Sequence, residues 1–296
     1  MADTLLSRLS EDVSALAAGA RGFVAEVRSK EGHRLTGVLW KPDAVVVSEQ
    51  ALFDVSTYEA HIAGETIEGQ LAGRDPGTNV AVLRLARPLA STLPAFVVPK
   101  TGSLVVTAGV GRYGLSVRLA TVQTAGEAWQ SMAGGTIDHR IVLDTRLGRF
   151  DEGSPVLAAD GGLIGVSARG WRRETLVIPA STVERAVVAL LEKGGVERGW
   201  LGLSLHPVAL PESLRPETGQ HVGLMVMEVI ADSPAAKSGV LAGDILLSVD
   251  GTPAMRPRHV ARRLGPDSIG KRVPMTLVRA GAVVTCEAVV EGRKSG

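Results

Sequence analysis

The chain has 296 residues, a length that favours about two domains, and 45% of them are hydrophobic, enough for a sizeable core. Its 32 Lys+Arg against 31 Asp+Glu leave a formal charge of +1, which argues against nucleic-acid binding, normally built on a basic stripe, and against disorder. Aromatic residues are only 3%, glycines number 35, and no apolar run approaches the roughly 18 residues of a membrane span.

Residues 3–20 place Leu5, Leu6, Leu9, Val13 and Leu16 on one face of an amphipathic helix. The polar face mixes acids with Arg8, which does not suit a membrane surface. The stretch Met1–Leu6 has an acid where a secretory leader carries positive charge, and no apolar segment follows, so a cytoplasmic location is expected.

From 23 to about 180 the period changes to two. Short strands are expected at 23–28, 34–40, 44–47, 58–62, 66–71, 80–85, 104–109, 115–123, 141–144, 163–168 and 175–178, separated by Gly, Pro and Asp. Many short strands without intervening helices imply an all-β barrel or sandwich. Ser181-Thr182-Val183-Glu184 then reads as a capping box opening a helix that Gly194-Gly195 ends. After 196 come strands at 200–205, 223–229 and 244–249, short helices at 232–238 and 256–264, and a closing strand pair at 274–279 and 283–290. This is an α+β module. The single cysteine, Cys286, lies in an alternating strand and reads as a small core residue.

Three stretches carry a specific resemblance. Gly73-Arg74-Asp75-Pro76-Gly77-Thr78-Asn79-Val80-Ala81 resembles the region of the triad aspartate in HtrA/DegP-type trypsin-fold proteases. Val177-Ile178-Pro179-Ala180 and Glu197-Arg198-Gly199-Trp200-Leu201-Gly202-Leu203 resemble that family's junction between protease and PDZ domains. Asp232-Ser233-Pro234-Ala235-Ala236 with Ala242-Gly243-Asp244 resembles the PDZ core. The resemblance covers roughly 20–292 and implies a chymotrypsin-like double β-barrel over 21–195 and a PDZ domain over 196–296, which with the helix expected over 1–20 makes a mainly β chain.

That fold hydrolyses peptides with a serine nucleophile, a histidine base and an orienting aspartate. Carried over by position, the aspartate becomes Asn79, whose amide donates as well as accepts and does not fix a histidine tautomer. The histidine falls on Gln50 or Ala51, a one-residue shift that stays open. The serine falls on Glu152, counted forward from Asp144 and back from Pro155 alike. Losing the nucleophile or base of a triad costs on the order of a million-fold in turnover. The expectation is therefore a pseudoprotease, not an enzyme, acting as an adaptor or regulator.

The alternative is an endopeptidase with a rearranged site. Ser154, His139 and Asp144 are the residues for it, although five positions along one strand point the last two to opposite faces. Glu152 with Asp151 offers an acid–base pair, Arg146 or Arg149 a salt bridge for Glu152, and the former oxyanion region a place for the Glu152 carboxylate to plug.

In the PDZ module the resemblance implies that a peptide C-terminus adds as a strand, its carboxylate meeting backbone amides of a loop. The matching residues are Trp200, Leu201, Gly202 and Leu203, with Leu203-Ser204-Leu205 as the pairing strand and His259, Val260 and Arg263 on the facing helix. Expected partners are protein C-termini or exposed apolar segments, and homo-oligomers, trimers being common in the family. The arginines at 256, 258, 262 and 263 read as a solvated helix face. Arg169, Trp171, Arg172 and Arg173 read as a surface turn or a cleft rim. The six histidines show no metal spacing and no phosphate loop is present, so no metal or cofactor is expected.

Overall fold

A computed structural model describes residues 4–294, other than 54, 56, 91, 149, 171 and 172. Trp171, Arg172 and Arg149 thus lie outside the described residues. The chain forms two compact units, one of residues 1–131 and 136–196, the other of 132–135 and 197–295.

The first unit opens with α1 (Leu5–Ala20), capped by the Thr4 hydroxyl, which accepts from the Ser7 amide. Leu5 and Leu6, expected on its apolar face, are exposed, while Ala20 is buried. Six strands follow: β1 (Val24–Ser29), β2 (Arg34–Lys41), β3 (Ala44–Ser48), β4 (Thr57–Ile62), β5 (Glu65–Asp75) and β6 (Val80–Leu85). They close a barrel in the order β1-β2-β3-β6-β5-β4. Its strands are buried on both faces by branched side chains, Val38, Val46 and Val82 on one and Val27 and Leu83 on the other. Gly37 in β2 is required by this closeness, because a Cβ there would stand 2.7 Å from Val45 Cγ1.

The second barrel uses β7 (Leu104–Gly111), β8 (Gly114–Gly126), β11 (Arg140–Leu143), β12 (Pro155–Ala158), β13 (Leu163–Arg169) and β14 (Thr175–Pro179), in the order β11-β14-β13-β12-β7-β8. A two-stranded ribbon, β9 (Trp129–Gln130) and β10 (Thr136–Ile137), lies off it. The expected strands all form. The sequence reading missed β9 and β10, each two residues long, and β12, four residues opening on a proline.

The helix α2 (Ala180–Lys193) ends at Gly194 with φ +69°, the left-handed conformation glycine adopts at low cost. Its expected capping box does not form. The helix begins directly after Pro179, the Ser181 hydroxyl donates instead to Asp138 Oδ2 (2.6 Å), and Glu184 accepts from Trp40 Nε1 (2.7 Å) and Lys41 Nζ (2.5 Å). Tertiary partners outcompete the local cap for both side chains.

The second unit contains β15 (Glu197–Trp200), β16 (Leu203–Ala209), α3 (Arg215–Thr218), β17 (Val222–Val229), α4 (Pro234–Lys237), β18 (Ile245–Val249), β19 (Thr252–Pro253), α5 (Pro257–Arg263), β20 (Arg272–Arg279), β21 (Ala282–Val289) and β22 (Glu291–Lys294). One expected strand at 200–205 is in fact two, broken where Gly202 turns at φ +80°. The main sheet runs β16-β17-β18-β20-β21, with β16 at its edge. Leu224, Val226, Leu246, Val260, Met275 and Leu277 form the core beneath it. Cys286 sits half-buried in β21, where burial pushes its thiol above the usual range.

Candidate functional site

Two turns and one loop build the barrel cleft. In the first, buried Asp75 folds its carboxylate onto its own chain, Oδ1 accepting from the Gly77 amide (3.0 Å) and Oδ2 from the Thr78 hydroxyl (2.7 Å). The turn delivers Asn79 at φ +57°, a left-handed position that asparagine tolerates better than most residues. Asn79 Oδ1 then accepts from the Gln50 amide (2.8 Å) and the Ser48 hydroxyl (3.2 Å). Gln50 lies in a short 3₁₀ turn, Glu49–Ala51, that Arg74 steadies through Glu49 (2.6 and 2.9 Å).

The third piece is the loop before β12. Its Asp151 carboxylate is buried and accepts from the Gly148 amide (2.7 Å) and Arg118 Nε (2.8 Å). Ser167 Oγ donates to Asp151 O (2.6 Å) and accepts from the Ser154 amide (3.1 Å). Thr36, fully buried in β2, donates to Phe150 O (2.5 Å) and accepts from the Val110 amide (2.8 Å). Gly153 has φ +84°, and a Cβ there would strike Thr36 O at 2.4 Å. These bonds turn Glu152 into the cleft, where its side chain is 11% exposed.

The cleft, about 700 Å³, is lined by His33, Gln50, Ala51, Phe53, Glu152 and Arg169, among others. Glu152 meets Arg169 Nε at 2.8 Å, and Gln50 Nε2 donates to Arg169 O at 3.0 Å. Burial raises the Glu152 carboxyl above the usual carboxylate range, and Arg169 offsets only part of that rise. Gln50 and Glu152 thus share one cleft, and Asn79 holds the backbone of the first. The amide that Asn79 grips belongs to Gln50, not to Ala51, whose side chain also faces the cleft.

The rearranged set does not assemble. Ser154 is 1% exposed and its Oγ has no hydrogen-bond partner, while Asp144 spends its carboxylate on the Thr121 amide and hydroxyl (2.8 and 2.5 Å). Asp151 is committed to Arg118 rather than to acid–base work with Glu152. His33, one of the two histidines nearest the base slot in sequence, also lines the cleft, stacked on Phe53 at 3.8 Å. Its position in the turn before β2 gave no motif by which to find it. A second hollow of about 820 Å³ beside α1 is lined by Leu16, Phe23, Leu93 and Leu157 with the polar residues Asp12, Thr92 and Asp160, among others. Among the described residues no cluster of three His, Cys, Asp or Glu could hold a metal.

In the second unit, Leu201 is buried and Leu203 and Leu205 are half-buried against its core, beside Val260 and Leu264. Gly202 is essential to the loop that precedes β16: its φ is +80°, and a Cβ would lie 2.3 Å from that of Ser233. His259 is partly exposed on α5, its Nδ1 3.3 Å from Pro253 O. Arg263 pairs with Asp250, and Ser204 is exposed.

The trypsin-like peptidase domain family matches residues 35–166, and the PDZ domain family matches residues 199–290. The chain thus carries a trypsin-like peptidase domain followed by a PDZ domain, and it is similar to proteases of the HtrA/DegP type. It is 29% identical over 248 residues to a probable periplasmic serine endoprotease DegP-like of Brucella suis, covering 79% of this chain and 48% of that one. A protein of the same name from Pseudomonas fulva is 28% identical over 282 residues, covering 91% and 55%. The chain therefore spans about half the length of the relatives it matches. Its fold is that of the HtrA-type protease AlgW solved with a decapeptide (TM-score 0.72, 20% identity, 96% of this chain and 99% of that one). It is likewise that of a serine endoprotease from Yersinia pestis (TM-score 0.71, 19% identity, 95% and 98%).

Two expectations are corrected here. The relatives are named serine endoproteases, which points to a protease and overturns the expectation of a chain that is not an enzyme. That expectation weighed three side chains against a whole-chain likeness. The relatives are also named periplasmic, which overturns the cytoplasmic expectation and points to an exported protein. A few residues at the start of a chain are a weak guide to its compartment. No helix among the described residues is long and apolar enough to cross a membrane.

Proposed function

We propose that this HtrA-type chain works by capturing peptide C-termini in its PDZ groove, as an adaptor or regulator of the proteins that carry them. The observation that carries this reading is the free edge of β16, preceded by the Gly202 turn and floored by Leu201, Leu203, Leu205 and Val260. An arriving strand gains main-chain bonds along that edge, its last side chain gains an apolar seat, and its carboxylate meets the amides of residues 201–203. The site residues are Trp200, Leu201, Gly202, Leu203, Ser204 and Leu205 with His259 and Val260. Arg263, held by Asp250, contributes charge at the rim rather than contact. Homo-oligomers, trimers above all, fit the family, and light scattering of the purified chain tests this.

For the barrel cleft, the reading is that Gln50, Asn79 and Glu152 stand where the relay of a trypsin-fold protease stands. The bond from the Gln50 amide to Asn79 supports placing the histidine slot at Gln50. On this assignment a serine–histidine–aspartate relay is not what the cleft uses.

A second reading, an endopeptidase with a rearranged site, is favoured by the names of the relatives and by His33 in the same cleft wall as the raised carboxyl of Glu152.

One set of assays covers both readings. A library of C-terminal peptides on the full chain is expected to yield binders that fail as carboxamides; binding indifferent to amidation overturns the PDZ reading. Casein cleavage that survives purification and vanishes in both His33→Ala and Glu152→Gln establishes the second. Labelling of Gln50→His/Asn79→Asp/Glu152→Ser by a fluorophosphonate is expected if the relay assignment holds, and no labelling of a folded variant refutes it.

A further inference from the structure

The edge strand β16 carries a proline, and its place in the ladder fixes which bond it removes. The Leu210 amide donates to His221 O (2.9 Å) and the Ile230 amide donates to Gly202 O (2.9 Å). In an antiparallel pair, residues alternate between facing the partner strand and facing away. Counting back from Leu210 along the register Ala209↔Val222, Val208↔Gly223, Pro207↔Leu224 and His206↔Met225, the main-chain groups of Val208 and His206 face β17. Counting forward from Gly202 through Leu203↔Val229, those of Ser204 do as well. The two counts agree because the bulge between Ser204 and Leu205 places its extra residue, Met227, in β17. Leu203, Leu205, Pro207 and Ala209 therefore turn their main-chain groups to the open edge.

Proline has no amide hydrogen, so the edge offers donors at Leu203 and Leu205 but none at Pro207. We infer that Pro207 limits the length of ligand this groove reads: main-chain pairing is complete over the last three residues of a C-terminus and drops, at the fifth from the end, to the one bond that the Pro207 carbonyl accepts. Pairing runs antiparallel, the last ligand residue beside Leu203, the third from the end beside Leu205 and the fifth beside Pro207. The carbonyl of that fifth residue finds no donor. The walls change there too, from Leu203 and Leu205 on the core to a largely apolar hollow of about 670 Å³ lined by Pro207, Met255, Pro257 and His259 with Arg256 and Arg258. The substrate class is thus short, apolar C-terminal ends, with little selection on sequence further upstream. This inference rests on the peptide-binding reading above.

The test uses the full chain and fluorescein-labelled peptides ending in Ala-Val-Leu with a free carboxylate, three, five and seven residues long, read by anisotropy. For the wild type, affinity is expected to change less than about threefold from three residues to seven. For Pro207→Ala, which restores the donor, the five-residue peptide is expected to gain about three- to tenfold over the three-residue one, the worth of one neutral hydrogen bond. Pro207→Val serves as a second variant with a strand-forming side chain. A five-residue peptide whose fifth-from-last carbonyl is reduced to a methylene should bind the wild type unchanged and lose that gain with the variants. A steep rise with length in the wild type, or a flat profile in folded Pro207→Ala and Pro207→Val alike, overturns the inference alone. If no free-carboxylate peptide binds any of the three proteins, the peptide-binding reading falls and takes this inference with it.

Discussion

Replacing Thr36 by valine removes one oxygen and leaves the shape of the side chain nearly unchanged. Thr36 is 0% exposed, and its hydroxyl bridges the Val110 amide and the Phe150 carbonyl. Without it the buried Val110 amide loses this acceptor and the partly buried Phe150 carbonyl loses this donor at once. Each such loss costs about 1–3 kcal/mol, so the pair should cost about 2–4 kcal/mol, less than the full sum because the Phe150 loop can shift toward water. For a unit of this size each kcal/mol lowers the melting temperature by about 2–4 °C. The expected drop is therefore roughly 4–16 °C, with Thr36→Ser losing much less because it keeps the oxygen. Calorimetry of the three proteins gives the melting temperatures. Amide exchange at Val110 is expected to accelerate in Thr36→Val only. A drop under about 2 °C, or equal effects of valine and serine, would refute the claim that this hydroxyl ties the loop before β12 to the first barrel.

Two further outcomes follow from charge. Glu152 has a raised pKa in the folded chain, so the folded state holds its proton more tightly than the unfolded one, and stability falls as pH climbs from the ordinary carboxylate range through the raised value. Glu152→Gln is expected to melt higher than wild type at pH 7 and to lose that advantage by about pH 4, the unfolded-state range; a constant difference across that window would contradict the assigned cause. Asp244 behaves the other way. Hydrogen bonds from Arg279 (2.8 and 2.7 Å), with burial opposing and the Leu241 amide (2.8 Å) helping, hold its carboxyl below the usual range. Its stabilisation is present above the unfolded pKa and is lost as pH falls through the folded one. Asp244→Asn should cost the second unit about 2–3 kcal/mol at pH 7 and less at pH 3, measured by urea unfolding.

The architecture was largely legible because it rests on period. Runs such as Ala44-Val45-Val46-Val47 and Val80-Ala81-Val82-Leu83 are buried on both faces and announce strands wherever they occur. What stayed hidden depends on neighbours distant in sequence. Pro155–Ala158 is too short to show a period and becomes a strand only by pairing with β7 and β13. Ser181 and Glu184 have the spacing of a cap, but Asp138, Trp40 and Lys41 claim them. In the cleft, Asn79, Gln50 and Glu152 could be placed by counting from flanking motifs. Arg169 as the partner of Glu152 could not, since seventeen positions separate them and only the barrel closure brings them within 2.8 Å. The place of His33 in the same cleft wall likewise depends on the closed barrel.

The loop that presents Glu152 is fastened by side chains that do not themselves line the cleft, Thr36, Arg118 and Ser167, and Gly153 allows the closest approach by having none. Support and cargo are thus separate parts of the sequence. A chain built this way can exchange the group it displays at position 152 while the mounting stays untouched, so drift in what the cleft presents needs no concession from the scaffold.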